Sequence, residues 1–152
     1  MPSQRDIVRM TDDEVTEFLA ARRKVHVATI GRDGSPHLMP MYFLLVEGAV
    51  TFWTYARSQK IRNLERDPRI TVMAEDGEGY LDLRGVQIAG RAHLAGDPEL
   101  VTRFGEVLYQ RYFGPLDENG RAYIARSAAK RVRVTVEPLR VVSWDHRRLA
   151  GA

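Results

Sequence analysis

The sequence contains no cysteine, which excludes a disulfide framework and thiolate chemistry and fits a cytoplasmic location. It has no apolar run approaching the roughly 18 residues of a membrane-spanning helix, so no membrane association is expected. The opening stretch MPSQRDIVRMTDDE lacks an apolar segment, and no secretory signal is expected from it. The net charge of +3 comes without a Lys/Arg block or a nucleic-acid motif, so the basic pI near 9.4 does not point to nucleic acid. Internal repeats and low-complexity segments are absent. So are a catalytic triad, paired carboxylates and a metal-ligand cluster: the four histidines, His26, His37, His93 and His146, are scattered, and none makes a zinc site. What is present is ordinary for a globular chain, 44% apolar and 28% charged. At 152 residues the expectation is one domain, 1–152, with a substantial core.

The stretch around which the chain is organised is TFWTYARSQKIRNLERDPRI, Thr51 to Ile70. Its aromatic and β-branched beginning, Thr51 to Tyr55, suits a half-buried strand. A helix follows from Ser58, a good N-cap, with Ile61 and Leu64 on one face. Asp67-Pro68 ends it, because the residue before proline is pushed out of the α region. A strand feeding a short helix through a basic turn presents free backbone N–H groups, a ready site for an anion. Thr54 and Ser58 add hydroxyls there, and Arg57, Lys60 and Arg62 add positive charge. The turn is expected to hold a phosphate.

Taken in order, Thr11 to Arg22 reads as a first helix with a Thr11/Glu14 capping box and the apolar stripe Val15, Phe18, Leu19. Val25 to Ile30 has strand character, and Gly31 to Gly34 turns it back. The return, Ser35 to Val46, carries Pro36 and Pro40, which donate no ladder hydrogen bonds and leave backbone free to face a ligand. Glu47-Gly48 turns into the strand Ala49 to Tyr55, giving an antiparallel meander. Arg69 to Ala74 is a further strand, and Glu75 to Gly79 an acidic loop. Tyr80 to Ala95 reads as one long strand whose two glycines, Gly85 and Gly90, mark a bulge or bend. Asp97-Pro98 opens a helix whose buried face is Leu100, Phe104, Val107 and Leu108. Gly114-Pro115 breaks it, and a second helix covers roughly 118–129. Arg131 to Trp144 closes as a strand interrupted at Pro138. Six or so strands with helical crossings imply a mainly β, closed antiparallel barrel.

Three segments give these elements a family likeness: FLAARRKVHVATIGRDGSPHLMPMYF (18–43), TFWTYARSQKIRNLERDPRITV (51–72), and LRGVQIAGRAHL (83–94) with RVVSWDHRRL near the end. Their order and spacing resemble the pyridoxamine 5′-phosphate oxidase-like split β-barrel superfamily, and within it the short F420-dependent branch. The resemblance implies a six-stranded Greek-key split barrel of the FMN-binding type, and a homodimer with cofactor sites at its interface. It implies a cofactor phosphate held by Thr54, Ser58 and Lys60, with Arg57 close by. Asn63 matches the pattern too, as a cofactor residue or as a brace for the helix. The ring would lie along Leu38, Met39, Pro40 and Met41, covered by residues near Trp144 of the other subunit. Coenzyme F420 is the favoured cofactor and FMN the alternative, since both present a phosphate after a ribityl chain. F420 extends further, and Arg57, Arg62, Arg66 and Arg32 offer a basic track for its tail.

The implied reaction is hydride transfer between reduced deazaflavin and a conjugated organic substrate such as a quinone, an enone or a tetrapyrrole, with the cofactor carrying the chemistry. No catalytic side chain follows from the sequence. His37, beside the expected ring strand, is the one candidate for orienting substrate or donating a proton. The alternatives are an FMN-dependent oxidoreductase and a non-enzymatic protein that binds flavin, F420 or haem. Pyridoxamine phosphate oxidation itself is disfavoured, since Arg147-Arg148 only faintly echoes the arginine-rich C-terminal segment of that enzyme.

Overall fold

A computed structural model describes residues 1–151. Its elements run α1 (Gln4–Val8), α2 (Asp12–Ala21), β1 (Lys24–Ile30), β2 (Pro36–Tyr42), β3 (Leu44–Val46), β4 (Ala49–Tyr55), α3 (Gln59–Arg66), β5 (Arg69–Asp76), β6 (Arg84–Ala95), α4 (Pro98–Phe113), α5 (Glu118–Ala128) and β7 (Arg131–Asp145). Short 3₁₀ turns occupy Tyr80–Asp82 and His146–Gly151.

The seven strands form one antiparallel sheet in the order β2-β1-β5-β6-β7-β4-β3. Its two edges, β2 and β3, are consecutive pieces of one return strand with Phe43 between them. The first half pairs with β1 and the second with β4. Counted once, that strand closes a ring of six, the split barrel expected from the sequence. Strands β5, β6 and β7 pair in succession, with β4 returning beside β7, a Greek key. The expected single strand 35–46 is therefore divided, because its partner changes at Phe43. The Tyr112 hydroxyl secures the crossing, 2.8 Å from the Phe43 carbonyl oxygen and 3.0 Å from that of Arg23.

The barrel interior is filled by inward residues of the strands, including Val25, Val27, Val50, Phe52, Val72 and Val134, and capped by Phe18, Ile61 and Leu64 from the helices. Each such side chain contributes roughly 1.5–3 kcal/mol by leaving water. A second, smaller cluster of Leu44, Phe104 and Leu108 lies outside the barrel wall, under α4, with Trp53 packed against it.

Three sequence readings need correction. The strand expected from Tyr80 begins at Arg84, because Tyr80–Asp82 is a 3₁₀ turn. Helix α4 buries Val101, Phe104, Gly105 and Leu108, while Leu100 and Val107 are 37% and 50% exposed. The buried stripe is turned because Gly105 lets the Trp53 ring approach the helix backbone. Thr11 caps α2 by accepting from the Glu14 amide at 3.2 Å, but Glu14 does not reciprocate. Its carboxylate accepts from Arg148 instead. The reciprocal capping box is one element earlier, between Ser3 and Asp6.

At the C-terminal end of β7, the buried Asp145 carboxylate accepts from Arg147 Nε at 2.8 Å and Nη2 at 2.6 Å. These bonds hold its pKa below the ordinary 3.8. A depressed carboxylate contributes stability that is present above its unfolded pKa and lost as pH falls through the folded value. The melting-temperature gap between the native chain and Asp145→Asn should therefore narrow as pH is lowered below about 4. A gap constant from pH 6 to 3 would contradict this role.

Candidate functional site

The chain leaves β4 at Tyr55 and enters α3 through Ala56-Arg57-Ser58. The turn is pinned by Ala56 N–H donating to the Lys130 carbonyl at 2.9 Å and Ser58 N–H donating to that of Tyr55 at 3.0 Å. Ser58 is the N-cap, its Oγ accepting from the Ile61 amide at 3.3 Å. The Thr54 hydroxyl lies 3.5 Å from the same Oγ. The sequence expectation for β4, the turn and α3 thus holds in place and in length.

Lys60 sits in the first turn of α3 and is only 7% exposed. No hydrogen bond or ion pair satisfies its ammonium among the described residues, and burial lowers its pKa. The lysine stem is packed into the protein while the ammonium keeps some access to solvent, so the charge is partly desolvated and unpaired. Lys60 lies in the same helix turn that Ser58 caps, at the positive end of the helix, where an anion would be favoured. Arg57 and Arg62 are exposed on the same segment.

Other expected residues fall differently. Asn63 is fully buried: its Nδ2 donates to Thr29 Oγ1 at 3.0 Å, and its Oδ1 accepts from Gln59 Nε2 at 2.8 Å and from Arg66 at 3.2 Å. These bonds tie α3 to the barrel wall. Arg66 also donates to the Ile30 carbonyl at 2.8 Å, so it is already committed to the protein, and the basic track is reduced to Arg32, Arg57 and Arg62. Thr29 and Gln59 were missed by sequence reasoning. The four-residue spacing of Gln59 and Asn63 on one helix face was the signal available.

Leu38, Met39, Pro40 and Met41 lie on β2, whose outer edge has no strand partner along this half. Leu38 and Met39 are exposed, so an apolar backbone strip is open to a flat ligand. His37 is partly buried with Nδ1 unpartnered. With Gly31, Arg32, Ser35, Gln59 and Asn63 it lines an open cavity of about 410 Å³ between the β1–β2 turn and the start of α3. The cavity touches Pro36 and His37 of β2 and Gln59 and Asn63 of α3, while Leu38 to Met41, Thr54, Ser58 and Lys60 do not line it. Trp144 is not part of it. It packs on Gly85, where a Cβ would overlap its ring, and β7 carries it to the end opposite Arg131, which pairs with Tyr55 beside the turn. Among the described residues no group of three His, Cys, Asp or Glu side chains is arranged to hold a metal, and no helix is long and apolar enough to cross a membrane.

The profile of the family described as pyridoxamine 5′-phosphate oxidase matches residues 11–145. Among solved structures, the conserved hypothetical protein Rv2991 from Mycobacterium tuberculosis is 38% identical, with a TM-score of 0.91 over 98% of this chain and 93% of that one. A structure described as an F420 reductase is 25% identical, with a TM-score of 0.69 over 86% of this chain and 98% of that one. HutZ, the haem storage protein from Vibrio cholerae, shares the fold at 18% identity and a TM-score of 0.66, over 87% of this chain and 94% of that one. No curated protein matches the chain.

Proposed function

The chain belongs to the pyridoxamine 5′-phosphate oxidase family, and from that membership we propose that it is an oxidoreductase using coenzyme F420 to reduce a conjugated organic substrate. The observation that carries the reading is Lys60, a largely buried lysine whose partly desolvated ammonium has no protein partner, at the start of α3. It would meet the cofactor phosphate together with the Thr54 and Ser58 hydroxyls and the first amides of α3. Arg57, Arg62 and Arg32 would screen the charge of a longer anionic tail. The exposed edge of β2, Leu38 to Met41, would carry the ring, with Pro36 and Pro40 keeping further strands from adding there. When bound, F420 supplies a hydride. The chain's part is to fix the phosphate, hold the ring against β2 and keep water away.

A second subunit completes this arrangement. Trp144 stands at the far end of β7 from its own α3 turn, and the exposed Leu38, Met39, Leu139 and Val141 offer apolar surface for a partner copy. His37, which lines the cavity beside the β1–β2 turn, would orient a substrate there. Pyridoxamine phosphate oxidation fits less well, because Arg147 and Arg148 are engaged with Asp145 and Glu14. The commitment of Arg66 to Ile30 and Asn63 favours the shorter FMN as the second reading, since it removes one arginine from the tail track.

Parallel fluorescence titrations with F420 and FMN test the proposal. Tight F420 and weak FMN binding, followed by oxidation of reduced F420 only when substrate is present, is the expected result. Preference for FMN would replace the deazaflavin reading with the flavin one. Tight binding without turnover would make the protein a carrier. Light scattering at micromolar concentration should give a dimer; a monomer would overturn the shared site.

A further inference from the structure

A second cavity, about 680 Å³, lies on the outer side of the barrel wall between α4, β3 and the end of α2. Its floor is apolar, made by Leu19, Leu44, Val46 and Phe104, with Leu100 and Val107 along the α4 side. Four arginines border it: Arg22, Arg103, Arg111 and Arg133. Three have a partner, although the Nε of Arg22 is buried and unsatisfied. Arg22 pairs with Asp76 at 3.0 Å, Arg103 with Glu99 at 3.6 Å, and Arg111 donates to the Ala20 carbonyl at 2.6 Å. Arg133 has no ion-pair or hydrogen-bond partner among the described residues, and its Nε is buried and unsatisfied. A buried guanidinium nitrogen without an acceptor is a costly feature in a folded protein. The one acid at the rim, Glu47, is exposed on the β3–β4 turn and makes no ion pair.

We propose that this cavity binds a hydrophobic carboxylate, its apolar body between α4 and β3 and its carboxylate on Arg133. The Nε is closed off from the cavity, but the two terminal nitrogens stay accessible and unpaired, and their parallel N–H donors match the two oxygens of a carboxylate. The cavity volume falls in the usual range for organic ligands. Its β3 wall continues directly from β2 through Phe43, so an occupant lies next along the chain from the strip Leu38 to Met41. As a binding site the cavity stands on its own geometry; as the place where a conjugated acid is reduced, it rests on the F420 reading.

The experiment is calorimetric titration of the full chain, without added cofactor, using 2-naphthoate and its neutral counterpart 2-naphthalenemethanol. The acid should bind at least about tenfold more tightly than the alcohol. Arg133→Met should remove that preference and leave alcohol binding unchanged. Val107→Trp, at a half-exposed position where folding is secure, should fill the cavity and weaken both ligands, which keeps the test decisive if Arg133→Met fails to fold. Equal binding of acid and alcohol would overturn the proposal, as would an acid preference that survives Arg133→Met or an absence of binding to the native chain. Acid binding in a protein that fails to bind F420 would leave this site standing and remove only its place in F420 chemistry.

Discussion

Replacing Lys60 with methionine is expected to weaken F420 binding by roughly 10- to 100-fold while raising the melting temperature of the cofactor-free protein. The two effects have opposite signs for one reason. In the cofactor-free protein the largely buried lysine has no counter-charge on its partly desolvated ammonium, so the folded chain bears part of its desolvation cost. Methionine has similar length and no charge, and removes that cost, on the order of 1 kcal/mol, or roughly 2–4 °C in a domain of this size. When a phosphate is bound, the same ammonium makes a charge-assisted hydrogen bond worth about 1.5–3 kcal/mol, which the variant cannot make. A residue serving only the fold would move both readouts together or leave the affinity alone.

The pH dependence separates the cases further. Burial lowers the Lys60 pKa from 10.5, so the folded chain releases this proton at lower pH than the unfolded chain does. The destabilisation is therefore fully present below the folded pKa and fades as pH rises toward the unfolded value. The methionine variant's advantage in melting temperature should shrink on going from neutral pH into the alkaline range. Unchanged F420 affinity in a folded Lys60→Met protein would remove the phosphate assignment.

The turn at Lys60 was legible because its signals are local. A β-branched and aromatic strand, a serine cap and an Asp-Pro stop lie within twenty residues, and each acts through its own backbone. The six-stranded ring was legible for the same reason: glycine turns and prolines mark strand ends wherever the partners lie. What escaped the sequence is decided over long distances. Glu14 has the spacing for a capping box with Thr11, but Arg148 takes its carboxylate from the other end of the chain. The division of the return strand at Phe43 depends on β1 and β4 claiming its two halves, and no residue in the strand itself records that. The buried face of α4 was misread because Gly105 adds nothing to an apolar stripe. It is buried all the same, since it alone lets Trp53 come close. The hydrogen bond from Asn63 to Thr29 spans 34 residues of chain, and no local pattern announces that partner.

Gly90→Ala is expected to destabilise the protein by about 3 kcal/mol, near the upper end for an overpacked site, lowering the melting temperature by roughly 6–12 °C. Gly90 sits where the β6–β7 pairing slips: Ala89 faces Arg140 and Gly90 faces Pro138, which leaves Leu139 as the extra residue of a bulge. Proline has no N–H to give there, so the ladder is already interrupted. A Cβ on Gly90 would overlap the Glu137 carbonyl oxygen and come within 3.1 Å of the buried Val136 side chain. The obstacle is backbone in the longest strand pair, so relief requires moving β7 itself. At Gly34, where the surroundings are open and only a left-handed φ is at stake, alanine should cost about 1 kcal/mol. The bulge also presents Leu139, 71% exposed, above a cavity shared with Pro36 at the start of β2. If that apolar surface meets a second copy, Gly90→Ala will raise the dissociation constant of the dimer along with lowering its stability, whereas Gly34→Ala will leave the dimer intact. A Gly90→Ala protein that melts like the native chain would show that the bulge yields, and that its curvature is not what holds β6 and β7 in register.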